Sequence, residues 1–269
     1  MSEPSPTTRQ LRTLTATRYI TPLREGGSLP AIIEADDMQQ YVLKFCGAGQ
    51  GAKALIAELV AGELLRALGL PVPTIVFIEL DETLGRSEPD PEIKDLIRFS
   101  VGLNLALAYL PGALPFEPLL VPPPDAALAS AVVWCDALLT NIDRTPRNPN
   151  ILLLGQQLWL IDHGAALYVH HTWDDYLARS RNRFPQVKEH VLLPWASQLP
   201  AIDADYSARL TPALLRAIVA QIPDAWLTGQ AGFATPAEHR SAYLAYLTSR
   251  LEPPRGFVEE AIHAHAKLI

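Results

Sequence analysis

The chain has 269 residues, 49% hydrophobic and 19% charged, with 22 Lys+Arg against 29 Asp+Glu and a formal net charge of −7. The apolar fraction excludes a largely disordered protein, and an acidic balance without a basic block argues against a direct nucleic-acid partner. Only two cysteines occur, Cys46 and Cys135, outside any CxxC spacing, which argues against a disulfide scaffold or a cysteine zinc site and fits a reducing cytoplasm.

Residues 1–17 carry prolines and hydroxyls but no apolar run of signal-peptide length, and read as a flexible arm. No stretch of about 18 apolar residues predicts a spanning helix. Residues 20–23 and 31–35 flank Gly26-Gly27-Ser28 and predict a β-hairpin, because glycine supplies the positive φ of a tight turn. Residues 40–45, rich in β-branched and aromatic side chains, predict a third strand. Apolar residues recur at helical intervals over 51–68, and Gly69 and Pro71 stop them. A strand is predicted over 74–80, an acidic loop over 81–95, and a strand over 100–109 that ends at the turn 110–113. Residues 18–112 thus read as a small strand-rich lobe with one prominent helix.

Pro122-Pro123-Pro124 marks a shift in composition. A helix is predicted over 125–140, a polar loop over 141–150, and a small hairpin from 151–154 and 158–161. Helices over 212–222 and 236–251 follow, so that 113–269 reads as a mainly helical lobe. No internal repeat or low-complexity tract is present.

The densest chemistry lies between residues 136 and 164. Asp143-Arg144 falls on the loop after a helix, Asn148 and Asn150 precede a strand, and Asp162-His163-Gly164 closes the next one. An Asp on such a loop can orient a substrate hydroxyl, while an Asn and a second Asp offer the oxygen ligands that suit Mg²⁺. An isolated Asp-Arg pair is usually a surface ion pair. Here the hairpin from 150 to 162 returns the chain to the same side, which joins the three groups.

In Asn141-Ile142-Asp143-Arg144, Asn148-Pro149-Asn150-Ile151-Leu152, Leu160-Ile161-Asp162-His163-Gly164 and the upstream Val42-Leu43-Lys44, the sequence resembles HipA-like members of the protein-kinase-like superfamily, with a secondary likeness to phosphoinositide kinases. The resemblance covers most of 18–200. It implies a two-lobed α+β protein-kinase-like fold, a small lobe over 18–112 and a catalytic lobe over 113–269, with ATP and Mg²⁺ in the cleft between them. It further implies that Lys44 contacts the ATP phosphates and that Glu58, fourteen residues on (58 − 44 = 14), holds its ammonium, with Glu63 as runner-up. Gly26, Gly27 and Ser28 would cover the phosphates through exposed N–H groups, although no full GxGxxG is present. Tyr109 and Leu110 stand where the hinge would meet adenine.

Asp143 takes the place of the catalytic aspartate. Arg144 would orient it, neutralise phosphate charge or form a structural ion pair, and Asp136 would brace the loop. The family's usual five-residue spacing selects Asn148 (148 − 143 = 5) as metal ligand with Asp162, whereas the strand that follows favours Asn150; both are candidates. His163 replaces the usual aromatic residue. Histidines 163, 170, 171 and 190 lack chelating spacing, since neighbours on a strand point to opposite faces.

The leading expectation is an ATP- and Mg²⁺-dependent cytoplasmic kinase acting on a hydroxyl such as a protein Ser/Thr. A second is a nucleotide-binding pseudokinase that serves as an interaction module for a protein partner, such as a DNA-binding antitoxin-like protein. A third is a metal-dependent hydrolase built on Asp143, Asp162 and the histidines. The acceptor, the oligomeric state and the pathway are not written in these residues.

Overall fold

A computed structural model of the chain describes residues 10–23, 29–86, 88–119, 122–229 and 232–268. Its first part holds the strands β1 (Thr13–Pro22), β2 (Ala31–Ala35), β3 (Gln40–Lys44), β4 (Ile75–Leu80) and β5 (Gly102–Ala108). They close into a barrel in the order β1-β2-β3-β5-β4. All pairs are antiparallel except β1 with β4, where Thr13–Thr15 run parallel to Phe77–Glu79 and complete the ring.

Strand alternation decides what each side of the barrel wall sees. Tyr41 and Leu43 turn inward with Ile33, Ile78 and Ala106, while Ile75, Phe77, Leu105 and Leu107 turn outward into the larger core. Lys44, one residue beyond Leu43, therefore leaves the barrel on the side of α1 (Ala52–Ala67). That helix is buried continuously from Leu55 to Leu65, as expected of an element covered on all sides. It packs on β4 and β5 and on helices of the second part.

Two segments differ from the sequence reading. β1 begins at Thr13, inside the stretch read as a flexible arm, because Leu14 and Ala16 alternate into the barrel core. The acidic segment read as a loop contains a 3₁₀ turn over Glu82–Gly85 and the helix α2 (Pro91–Phe99). Asp90 caps α2 by accepting the Glu92 N–H, Pro91 occupies the first turn, and Ile93 and Ile97 close the barrel end. Proline at that position starts a helix rather than breaking one.

The second part opens with β6 (Leu114–Pro115), which joins β7 (Ile151–Leu154) and β8 (Gln157–Leu160) in a three-stranded sheet. Between them runs α3 (Ala126–Leu139), capped by Asp125 and buried from Ala129 to its end. The remaining helices are α4 (Tyr176–Arg179), α5 (Leu199–Arg209), α6 (Pro212–Val219), α7 (Asp224–Leu227), α8 (Pro236–Leu251) and α9 (Gly256–Ala266). Both α6 and α8 start on a Thr-Pro pair in which the threonine hydroxyl accepts a first-turn N–H. Helices α5, α8 and α9 pack around α3. Trp226 of α7 ties the two parts by lying edge-on to Phe77 and donating to the Leu103 carbonyl at 3.0 Å. No helix among the described residues is long and apolar enough to cross a membrane.

Candidate active site

The end of β3, the middle of α1 and the segment after β8 meet at one ammonium. Lys44 Nζ donates to Glu58 Oε2 at 2.7 Å and to Asp162 Oδ1 at 2.5 Å. Glu58 is fully buried, whereas the Asp162 side chain keeps 40% of its surface. Burial disfavours the charged lysine, yet the Glu58 and Asp162 carboxylates together raise its pKa above the ordinary value. Burial would likewise push the Glu58 carboxyl up, but the Lys44 charge and the His163 donor hold it well below the usual range.

His163 closes this chain of contacts into a ring. Its main-chain N–H donates to Glu58 Oε2 at 2.8 Å, and its Nδ1 lies 3.1 Å from Glu58 Oε1. Because that oxygen is a carboxylate acceptor, the proton sits on Nδ1. Asp162 is bonded covalently to His163 and ionically to Lys44, so the aspartate and the helix glutamate are held by one loop. The sequence marked His163 as a departure from an aromatic residue and as one of four histidines without chelating spacing, not as a partner of Glu58. A polar residue buried between Asp and Gly was the available signal for this clamp. Asp162 and Asn150 both adopt left-handed backbone, φ 53° and φ 51°, a conformation uncommon outside glycine and concentrated at functional sites.

The loop after α3 brings Asp143 to the same place. Its Oδ2 accepts from Asn148 Nδ2 at 2.8 Å and from Asn150 Nδ2 at 3.2 Å. Asn150 Nδ2 also stands 3.5 Å from the Asp162 carbonyl, and Asn150 leads directly into β7. Asn148 is exposed on the turn that pairs it with Thr145. Asp143, Asn148, Asn150, Asp162, Lys44 and Glu58 thus form one cluster. Its free oxygens are carboxylate and amide, the hard donors that Mg²⁺ takes beside phosphate and water. No group of three or more His, Cys, Asp or Glu side chains among the described residues could hold a metal ion.

Arg144 does not reach the Asp143 carboxylate. It is buried, donates from Nε to Asp136 Oδ2 at 2.6 Å, and turns Nη1 to the carbonyls of Asn150 and, at 3.4 Å, Ile161. Of the roles read for it, the structural ion pair is the one its geometry fits, because a guanidinium with five donors can clamp a carboxylate and two carbonyls at once. Asp136 also accepts from Asn141 Nδ2 at 2.9 Å and meets His190 Nε2 at 2.9 Å. His190 Nδ1 accepts the Leu192 N–H, which leaves the proton on Nε2. Burial would raise the Asp136 carboxyl, but Arg144 and His190 hold it well below the usual range. Asn141 in turn accepts the Asp143 N–H at 3.2 Å, carrying the brace to the loop.

Other expected positions behave differently. Glu63, five residues along α1 from Glu58 and so on another face, pairs with Arg66 at 2.7 Å and is not the partner of Lys44. The Tyr109 N–H donates to the Gln40 carbonyl at 3.0 Å and is spent there. Gly26, Gly27 and Ser28 lie outside the described residues. A recess of about 650 Å³ lined by Pro71, Pro122, Pro123, Pro124 and Leu158 shares no residue with the cluster.

The sequence model of a family described as HipA-like kinase matches residues 17–253. A comparison with curated proteins gives no match. Among solved structures, the crystal structure of a Helicobacter pylori proinflammatory kinase, CtkA, aligns over 96% of this chain and 98% of its own, with a TM-score of 0.58 and 12% identity. A crystal structure of the Golgi casein kinase with Mn/ADP bound aligns over 92% of this chain and 75% of its own, with a TM-score of 0.48 and 12% identity. The likeness to CtkA is one of fold, and it is the two-lobed protein-kinase-like α+β fold that the motifs imply.

Proposed function

The chain belongs to the HipA-like kinase family, and from that premise we propose that it is an ATP- and Mg²⁺-dependent phosphotransferase, working in the cytoplasm on a hydroxyl acceptor. The observation that carries this reading is the single Lys44 ammonium shared by Glu58 of α1 and Asp162 of the opposite part, with Asp143 and Asn150 beside it. Family membership supports a phosphotransferase, and the nucleotide, the metal and the residue roles are our assignment.

Lys44 would hold phosphate oxygens, with Glu58 keeping the ammonium at the end of β3. Asp162 and Asn150 would hold Mg²⁺, with Asn148 as the alternative amide, and a bound Mg²⁺ neutralises charge on the triphosphate. Asp143 orients the acceptor hydroxyl and takes its proton while the acceptor oxygen bonds to the γ-phosphorus and the bond from that phosphorus to the β,γ-bridging oxygen breaks. The amide groups of Asn148 and Asn150 fix Asp143 Oδ2, so the carboxylate meets the acceptor in one orientation. Adenine would meet the Tyr109 carbonyl and the Leu110 N–H, because the Tyr109 N–H is engaged with Gln40. Gly26-Gly27-Ser28 stays the candidate cover for the phosphates.

Replacing Asp143 by Asn tests the assignment. Calorimetric titration should give Mg-ATP binding close to that of the wild type, while transfer from radiolabelled ATP falls by about 10²–10⁴-fold. Retained turnover removes Asp143 from the mechanism. Binding by the wild type with no turnover on any acceptor favours the pseudokinase reading instead.

A further inference from the structure

A second cleft, of about 180 Å³, opens beside the catalytic loop and is lined by Thr140, Ile142, Tyr168, Arg179, Arg183 and Arg250 among others. Ile142 is the residue before Asp143, so the rim of this cleft begins one position from the proposed base. Its volume is well below the roughly 300–1,000 Å³ of a site that encloses a whole small ligand. It suits one side chain of a larger molecule.

The charge in the cleft is one-sided. Three arginines line it and, among the described residues, no Asp or Glu does, in a chain whose net charge is −7. Arg250 is buried and spends its donors on carbonyl oxygens, those of Leu138 at 2.6 Å, Ala137 at 2.7 Å, Asn182 at 2.9 Å and Ser180 at 3.0 Å. Carbonyl dipoles satisfy its hydrogen bonds but carry no full negative charge. Arg179 bonds only through Nη1, to the Thr172 carbonyl and hydroxyl and to the Asp174 carbonyl, with no carboxylate in ion-pair range among the described residues. Arg183 does have partners, Glu259 at 3.1 Å and Glu260 at 3.5 Å, but it remains 58% exposed, where such pairs contribute little. Ile142 and Tyr168 are large exposed apolar side chains, 42% and 54% exposed, on the same rim.

We propose that this cleft selects the acceptor: a polypeptide whose target hydroxyl is followed or preceded within a few residues by an Asp or Glu, with that carboxylate seated against Arg179 and Arg183 and the neighbouring backbone lying over Ile142 and Tyr168. A guanidinium fork matches a carboxylate through paired hydrogen bonds. The inference rests on the kinase reading above and adds the acceptor class to it.

Three Ser/Thr peptides that differ only in carrying Asp/Glu, Ala or Lys beside the hydroxyl provide the test, with radiolabel transfer as one readout and Mg-ATP calorimetry as the other. The expected result is kcat/KM at least about tenfold higher for the acidic peptide, as a charged hydrogen bond warrants. That preference should disappear in Arg179→Gln and turn toward the lysine peptide in Arg179→Glu, both checked for folding by thermal melting. Equal or better transfer to the neutral or lysine peptide overturns the inference. So does transfer to none of the three while Mg-ATP still binds, the outcome expected of a lipid or small-molecule acceptor or of a pseudokinase. Failure of the wild type to bind Mg-ATP instead overturns the kinase reading, and this inference with it.

Discussion

Two ionic networks flank the loop that carries Asp143, and they are built to opposite ends. The ring of Lys44, Glu58, His163 and Asp162 is open on one side, where Asp162 keeps 40% of its side-chain surface. The brace of Asp136, Arg144, His190 and Asn141 is sealed, with Asp136 and Arg144 side chains at 0%. An open ionic contact can exchange partners, so under the proposed function Lys44 would release Asp162 to phosphate and metal. A sealed one has no solvent to replace a lost partner, and its service is to hold Asp143 and the carbonyl of Asn150 in place.

The sharpest way to break the comparison is to remove one charge from each network. Arg144→Met strands a buried carboxylate and should cost about 3–5 kcal/mol of stability, read as a lower urea midpoint. Asp162→Asn should stay within about 1 kcal/mol of the wild type and lose transfer by about 10²–10³-fold. Equal stability losses in the two variants would erase the distinction between network types.

The His163 ring sits at the join between open and closed, and its replacement sharpens the contrast. His163→Phe fills the space but leaves Glu58 Oε1 without its donor, at a cost of about 1–3 kcal/mol. Because Glu58 then holds Lys44 less firmly, KM for Mg-ATP should rise along with the drop in kcat. His163→Asn, whose amide can donate from nearly the same point, should restore both constants. A Phe variant with unchanged constants would reduce His163 to packing.

The smallest effect is a pH dependence set by buried groups. Burial, with the positive neighbours His171, Lys53 and His239, lowers the pKa of His170 to about 3, and burial lowers that of His190 as well. Since the unfolded chain binds these protons near pH 6.5, stability is fully present above that value and declines as pH falls toward the folded pKa. His170 alone should cost about 1 kcal/mol by pH 5.5. The depressed carboxylates Asp136 and Glu58 act lower, where stability present above about pH 4 is lost on further acidification. Urea midpoints between pH 7.5 and 5.5 measure the first window, and His170→Phe should flatten it.

Much of this site could be read along the chain, because local rules wrote it. The strand over 40–45, the helix over 51–68 and the hairpin from 150 to 162 follow from local pattern, whereas the choice of Lys44 and Glu58 within them came from the family resemblance. What escaped depends on contacts distant in sequence. His190 finds Asp136 across 54 positions and His163 finds Glu58 across 105, and no periodicity encodes such meetings. Arg144 faces inward because Asp136 lies one helical turn behind the loop, a fact of packing rather than spacing. Helix α2 escaped for a different reason, since an acidic, proline-bearing segment looks the same whether it starts a helix or forms a loop.

The parallel pairing of Thr13–Thr15 with Phe77–Glu79 leaves the first sheet without a border. Between Thr13–Thr15 and Phe77–Glu79 a visiting peptide cannot add as an extra strand, and neither can a second copy of the chain, since the groups such an addition would use are already engaged. Recruitment along that seam must therefore be written in its outward-facing side chains.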